Sequence, residues 1–260
     1  MNTKILSLLE ALQDISPPRD NTYIIHTSLF LASPVKTDLK ETFEILREIL
    51  GKNSTLCFPT FTFRNNSKVL ASWNEIGTPG EVGVLNEYVR KNVHSIRTIH
   101  PTHSFVILGE DAREIVEKSG GSAFGEDSAL YQIISRGGFN ISFGAPFIGG
   151  HSFLHVAEEL NQVPYRNNIV LKTPCELRDG SQSGKVFTYF ARNLCHPGKY
   201  HENNWTIAWQ EFTENGLVKF RNTSSGLVTL MKCGETLKFM AGKIKVEPYH
   251  YAENCPHGNI

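Results

Sequence analysis

Apolar and polar positions along the chain follow two periods. Over residues 1–15, Ile5, Leu8, Leu9, Leu12 and Ile15 recur at helical spacing, without the continuous apolar run and small-residue cleavage site of a signal peptide. The pattern predicts an amphipathic surface helix. Asn21-Thr22 then open onto Tyr23-Ile24-Ile25, a short buried strand that ends in the polar stretch His26-Thr27-Ser28. Next, Asp38 is placed to cap a helix with Leu39, Phe43, Leu46 and Leu50 on one face, and Gly51 stops it. Ser54 to Phe58 reads as a second strand closed by Pro59, leading into Thr60-Phe61-Thr62-Phe63. The Asn-, Ser- and Gly-rich stretch from Arg64 to Gly80 is long for a bare connection, which suggests a lid over a site.

Beyond it, VGVLNEYVRKN predicts a helix, Ser104 to Leu108 a strand with Gly109 as its turn, and the chain from Ala112 another helix. Asp127 or Ser128 can cap a helix over ALYQIIS that Gly137-Gly138 ends, and Phe139 to Phe143 forms a strand. The glycine-bearing loop GAPFIGGHS follows, with Ser152 as the cap of a helix FLHVAEEL. After Pro164 the pattern changes to short β-like runs at 168–171, 185–190 and 227–230, with a helix over Trp205 to Phe212. No linker or repeat divides the chain. The expected architecture is one α/β domain over residues 1–260, in which a core of about 1–166 carries an irregular, partly antiparallel portion, 167–260, packed on it.

Twenty-six Lys and Arg balance 26 Asp and Glu, so no global field draws the chain to nucleic acid or an anionic membrane surface. No stretch approaches the ~20 apolar residues of a membrane span. Five scattered cysteines, odd in number, fit a reducing cytoplasm better than a disulfide framework. Cys195-His196 and Cys255-Pro256-His257 fall short of the paired clusters of a structural zinc, so no metal is expected.

Three segments can carry chemistry. In the helix after Ser152, His155 has Glu158 and Glu159 at i+3 and i+4, which makes an imidazole and a carboxylate neighbours. A carboxylate on one ring nitrogen fixes the tautomer and leaves the other as a general base. The same spacing also describes a solvated helix with no role. In Arg97-Thr98-Ile99-His100-Pro101-Thr102-His103-Ser104, two histidines, an arginine and hydroxyls crowd a strand entrance, either as hydrogen-bonding groups for a polar ligand or as a turn set by Pro101. His26-Thr27-Ser28-Leu29 can receive a phosphate or a thioester-linked pantetheine if it feeds a helix N-terminus, or is ordinary turn chemistry. No GxxxxGK[ST] loop, no GxGxxG after the first strand and no GxSxG elbow is present, which counts against kinases and Rossmann dehydrogenases.

Taken in order, HTSLF, FPTFTF, TPGEVGVLNEYVR, RTIHPTHSFVILGEDA, FGEDSALYQI and SFGAPFIGGHSFLHVAEE resemble the aminoglycoside 3-N-acetyltransferase family over roughly residues 22–166. The resemblance implies an α/β/α sandwich distinct from the GNAT fold, with acetyl-CoA as donor and a small-molecule amine as acceptor. It also implies that the family's hydroxyl-His-Glu helix motif falls on Ser152, His155 and Glu158, with His155 as general base and Glu158 orienting it. CoA would lie near Thr27, Ser28 and Leu29 and near Ser104, with Glu159, Arg166 and His103 on the acceptor side. A homodimer is compatible with the resemblance. Val163-Pro164-Tyr165-Arg166 and Tyr189-Phe190-Ala191-Arg192 look like a branch found beside polysaccharide-building enzymes. That likeness points to an amino sugar, nucleotide-linked, as acceptor, with Arg166 on its phosphate or carboxylate, and with aminoglycoside antibiotics as the alternative. A non-catalytic CoA or sugar-nucleotide binding protein and a hydrolase using the His-Glu pair on water are the readings of other classes.

Overall fold

The computed structural model describes residues 3–29, 38–63, 72–144, 152–196 and 199–253. Along the first strand, β1 (Thr22–Thr27), alternation sends Ile24 to one face of a sheet and Tyr23 and Ile25 to the other. The same split repeats in β2 (Thr55–Pro59), where Cys57 opposes Leu56 and Phe58. Two cores result, one on each face. Each fully buried Leu, Ile or Phe in them contributes about 1.5–3 kcal/mol of transfer free energy.

Helices α1 (Thr3–Asp14), α2 (Leu39–Leu50) and α3 (Val84–Asn92) cover the face holding Tyr23, Ile25, Leu56 and Phe58. Local signals set α2 as expected: the Asp38 side chain accepts from the Glu41 N–H, and Gly51 at φ 99° ends the helix. The other face is covered by α4 (Ala112–Lys118), α5 (Ala129–Ile134) and α6 (Phe153–Leu160). Ser128, not Asp127, caps α5 by accepting from the Tyr131 N–H. Ser152 stands at the start of α6 but makes no side-chain cap, because its backbone is already helical at φ −57° and ψ −20°.

The remaining strands are β3 (Trp73–Asn74), β4 (Ile96–Arg97), β5 (Phe105–Leu108), β6 (Phe139–Phe143), β7 (Arg166–Leu171), β8 (Cys175–Glu176), β9 (Phe187–Arg192), β10 (Leu194–His196), β11 (Lys199–Tyr200), β12 (Val218–Thr223) and β13 (Gly226–Lys232). Two more helices, α7 (Trp205–Glu214) and α8 (Cys233–Val246), complete the described elements. The main sheet runs β12-β13-β6-β1-β2-β5-β4. Its centre, β6-β1-β2, is parallel, and the flanking strands pair antiparallel, so the fold is mixed α/β.

The C-terminal portion does more than pack on the core. Its hairpin β12–β13 extends the sheet through β6, and α8 packs against α6. A separate antiparallel ribbon pairs β7 with β9, placing Arg166 opposite Arg192. Between Trp73 and Gly80 the expected lid is tied down: Trp73 pairs with Cys175, and Arg97 Nη1 donates to the carbonyls of Glu75 and Thr78. Residues 64–71 of that stretch, the glycine loop at 145–151 and the Cys255–His257 pairing lie outside the described residues. Cys57, Cys175 and Cys233 are free and buried, as scattered cysteines suggest, but Cys195 is disulfide-bonded. No described helix is long and apolar enough to cross a membrane.

Candidate active site

Helix α6 is the next described element after the carboxyl end of β6, a strand parallel to β1, and open α/β sheets place ligands at such ends. Its first two turns bury Phe153, Leu154, Val156 and Ala157 and leave the His155 side chain 21% exposed over a fully buried Glu158. The His155 Nδ1 lies 2.6 Å from Glu158 Oε2. Arg166 Nη2, a donor only, lies farther from the same nitrogen at 3.1 Å, and the shorter contact, to a carboxylate that only accepts, puts the proton on Nδ1, which donates, and leaves the Nε2 lone pair free. Tyr165 donates its hydroxyl to Glu158 Oε1 at 3.0 Å, and Arg166 Nε stands 3.0 Å from Oε2 as an ion pair not aligned for a hydrogen bond.

Electrostatics favours a neutral imidazole. Burial lowers the His155 pKa below its usual value and the Arg166 guanidinium lowers it further, which Glu158 offsets only in part. Burial by itself would raise Glu158, but His155, Arg166 and Arg192 hold it below the ordinary carboxylate range. The pair is a neutral base on an ionised orienting carboxylate.

His155 opens onto a cavity of about 460 Å³, which Thr62, Thr102, His103, Tyr189 and Arg192 also line. The structure therefore brings His155, on its Glu158, to one cavity with His103, 52 positions earlier in the chain. Arg166 borders the cavity, yet its side chain is 1% exposed and its guanidinium is taken up by Glu158, by the Phe190 carbonyl at 2.9 Å and by contact with His155 Nδ1 at 3.1 Å. Its carboxylate partner is an internal one rather than a group on a ligand.

Three other expectations place differently. Of the two carboxylates at i+3 and i+4, only Glu158 bonds to the imidazole. Glu159 turns to Ser122, whose hydroxyl donates to Oε1 at 3.1 Å, and burial raises its pKa. Ser104 is fully buried, and its hydroxyl is spent on the Thr60 carbonyl at 3.1 Å and on Arg97 Nε at 3.1 Å. It does not reach the cavity. Thr27 and Ser28, at the carboxyl end of β1, are half-buried, with Thr27 Oγ1 donating to Asn86 Oδ1 at 3.1 Å and the Ser28 N–H to the Phe143 carbonyl. Leu29 sits in the core, so this trio is not part of the cavity wall.

Sequence reasoning gives no role to Tyr165, Phe124 or Tyr189, although Tyr165 holds Glu158 and the Phe124 ring lies between His103 and His155. The motifs that contain them give no such role, which for Phe124 and Tyr189 depends on contacts between segments distant in sequence. Among the described residues no group of three or more His, Cys, Asp or Glu is placed to hold a metal ion.

A model of the aminoglycoside 3-N-acetyltransferase family matches residues 24–244. The aminoglycoside N(3)-acetyltransferase III of Salmonella sp is 24% identical over 204 residues, 72% of this chain and 71% of that one. Its namesake from Serratia marcescens is 25% identical over 197 residues, 69% and 72% of the two chains. In structure, AAC-IIIb in a binary complex with CoASH superposes with a TM-score of 0.77 at 17% identity, over 97% of this chain and 98% of that one. The YokD protein of Bacillus subtilis gives a TM-score of 0.74 at 19% identity, over 94% of each. These similarities in structure confirm the mixed α/β fold. They also correct the acceptor: the relatives are named for aminoglycosides, and neither a nucleotide-linked amino sugar nor a polysaccharide-building branch finds support among them. The match over most of its length shows that this chain belongs to the aminoglycoside 3-N-acetyltransferase family and is an N-acetyltransferase.

Proposed function

We propose that the chain transfers the acetyl group of acetyl-CoA directly to an amine of an aminoglycoside-class acceptor, with His155 as general base and Glu158 orienting it. The observation that carries this reading is the Nδ1-tethered His155, whose free Nε2 faces a cavity large enough for part of a polar small molecule. An ammonium has no lone pair, so the acceptor enters as the neutral amine. As its nitrogen bonds to the thioester carbon it becomes cationic, and His155 Nε2 takes the surplus proton. Collapse of the adduct re-forms the carbonyl and expels CoA as its thiol. The donor is supported by the family and by the CoASH complex of AAC-IIIb, and the acceptor by the names of the relatives and by the sisomicin complex of AAC-VIa.

Direct transfer is favoured over a cysteine acyl-enzyme because the free thiols of Cys57, Cys175 and Cys233 are buried, their pKa values pushed up by burial, and none lines the cavity. No carboxylate is among the described side chains lining the cavity, so acceptors with fewer ammonium groups should be used more efficiently. The test is thiol release from acetyl-CoA with sisomicin, gentamicin and simpler amines, with the acetylated product identified by mass spectrometry. Release without any acceptor would mean hydrolysis, and CoA binding with no release would mean a non-catalytic binder.

A further inference from the structure

The cavity holds a second imidazole, and its hydrogen bonds decide where its proton sits. The chain of contacts starts at His100, whose Nε2 is 3.2 Å from the Thr188 carbonyl oxygen. A carbonyl only accepts, so His100 carries its proton on Nε2 and offers a lone pair at Nδ1. That single in-plane lone pair already receives the backbone N–H groups of Thr102 at 3.2 Å and His103 at 3.0 Å. Both donors are fixed by the turn. The Thr102 hydroxyl, which can rotate, lies 3.1 Å from this occupied nitrogen and 2.9 Å from His103 Nδ1. With that nitrogen filled, His103 Nδ1 is the acceptor left for the hydroxyl proton among the described residues.

His103 is itself kept neutral. Burial, then His100, His155 and Arg166, all hold its pKa well below the usual histidine value. A neutral ring that accepts at Nδ1 carries its proton on Nε2. That nitrogen has no hydrogen-bond partner among the described residues, and the ring forms part of the cavity wall. Phe61 at 4.6 Å, Phe124 at 4.7 Å and a stacked Tyr189 at 5.4 Å hold the ring, by centroid distance, so its N–H is aimed before any ligand arrives. The same Phe124 ring is 5.0 Å from His155, and both imidazoles line the one cavity.

We propose that the His103 Nε2–H donates to the thioester carbonyl oxygen as negative charge develops there, making His103 a second catalytic residue. The proposal rests on the acetyl-CoA reading above. In the step, the neutral amine nitrogen attacks the carbonyl carbon, a C–N bond forms, and the π pair moves onto oxygen, which accepts from His103. His155 takes the proton from the nitrogen. The oxygen pair then re-forms C=O, the C–S bond breaks, and the departing thiolate takes the proton held by His155 to give CoASH, leaving the N-acetyl amide and the neutral imidazole. His103 keeps its proton throughout.

Two measurements test this. Long-range 1H–15N correlation spectra of the free wild-type protein should show His103 as the neutral Nε2–H tautomer, and Thr102→Val should weaken that preference. In steady state with acetyl-CoA and sisomicin, His103→Leu should lower kcat about 10²–10³-fold with CoA affinity changed less than about threefold, the effect of losing one oxyanion donor. His103→Gln, which restores an N–H near the Nε2 position, should recover most of the loss and serves as the folded control if the leucine variant is unstable. An Nδ1–H tautomer or an imidazolium overturns the proposal, whatever the acceptor. So does full turnover by His103→Leu while His155→Ala is inactive, a result that leaves the acetyl-transfer reading standing. Full turnover by both variants would instead remove that reading.

Discussion

Glu158 lies wholly buried beneath His155, its Oε2 2.6 Å from Nδ1, so the only nitrogen the imidazole can offer a substrate is Nε2. Burial, and then the Arg166 guanidinium 3.0 Å from the same carboxylate, lowers the imidazole's pKa and keeps it neutral. The base is thus already in its working form near neutral pH.

This arrangement sets the acid limb of the pH–rate profile. Catalysis needs the unprotonated imidazole, and a folded pKa below the usual 6.5 keeps that form dominant at pH 7, so kcat/KM should fall only as the pH drops below about 6.5. Arg166→Gln removes a charge that lowers this pKa. The acid limb should move to higher pH in the variant, as read from kcat/KM between pH 5 and about 8. An unmoved or lowered limb would mean that Arg166 does not tune the base.

The buried His100 makes stability depend on acid. Burial lowers its pKa to about 4 in the folded state, against about 6.5 unfolded. Between these values the unfolded chain binds a proton that the folded one does not, so the contribution is complete above pH 6.5 and is lost as the pH falls towards 4. The size is about 3 kcal/mol for this one group. Denaturant titrations of wild type and His100→Asn should show the variant less steep across this window, and parallel slopes would contradict it.

The sheet extension by the C-terminal hairpin can be tested from the first helix. Leu8 is fully buried in α1, which packs against β12 and β13. Leu8→Ala should lower unfolding stability by about 2–5 kcal/mol through lost transfer energy and a residual cavity. At a temperature where the variant stays folded, turnover should match wild type. A loss under 1 kcal/mol, on the scale of a surface substitution, would mean that α1 does not close this core.

What the sequence makes legible follows the range of the forces involved. Asp38, Gly51 and Ser128 act on their own helices, so α2 and α5 can be read directly. The His155–Glu158 pair is one helical turn and is legible for the same reason. Helix α8 is not, since Gly234 and Gly242 dilute its propensity, and burial of Leu237, Met240 and Ile244 against α6 decides it instead. Strand β12 hides because most of its side chains are exposed. The fates of Glu159, Ser104 and Arg166 depend on Ser122, Thr60 and Phe190, each more than 20 positions away, and spacing cannot report them.

The most direct test of His155 as the base is the steady-state kcat with acetyl-CoA and sisomicin for wild type, His155→Ala and Glu158→Gln, alongside CoA affinity by calorimetry. The expected result is a loss of about 10²–10⁴-fold in kcat for His155→Ala with CoA binding retained, and a smaller loss for Glu158→Gln. Undiminished kcat in His155→Ala would contradict it, and a larger loss in Glu158→Gln would make the carboxylate, not the imidazole, the primary base.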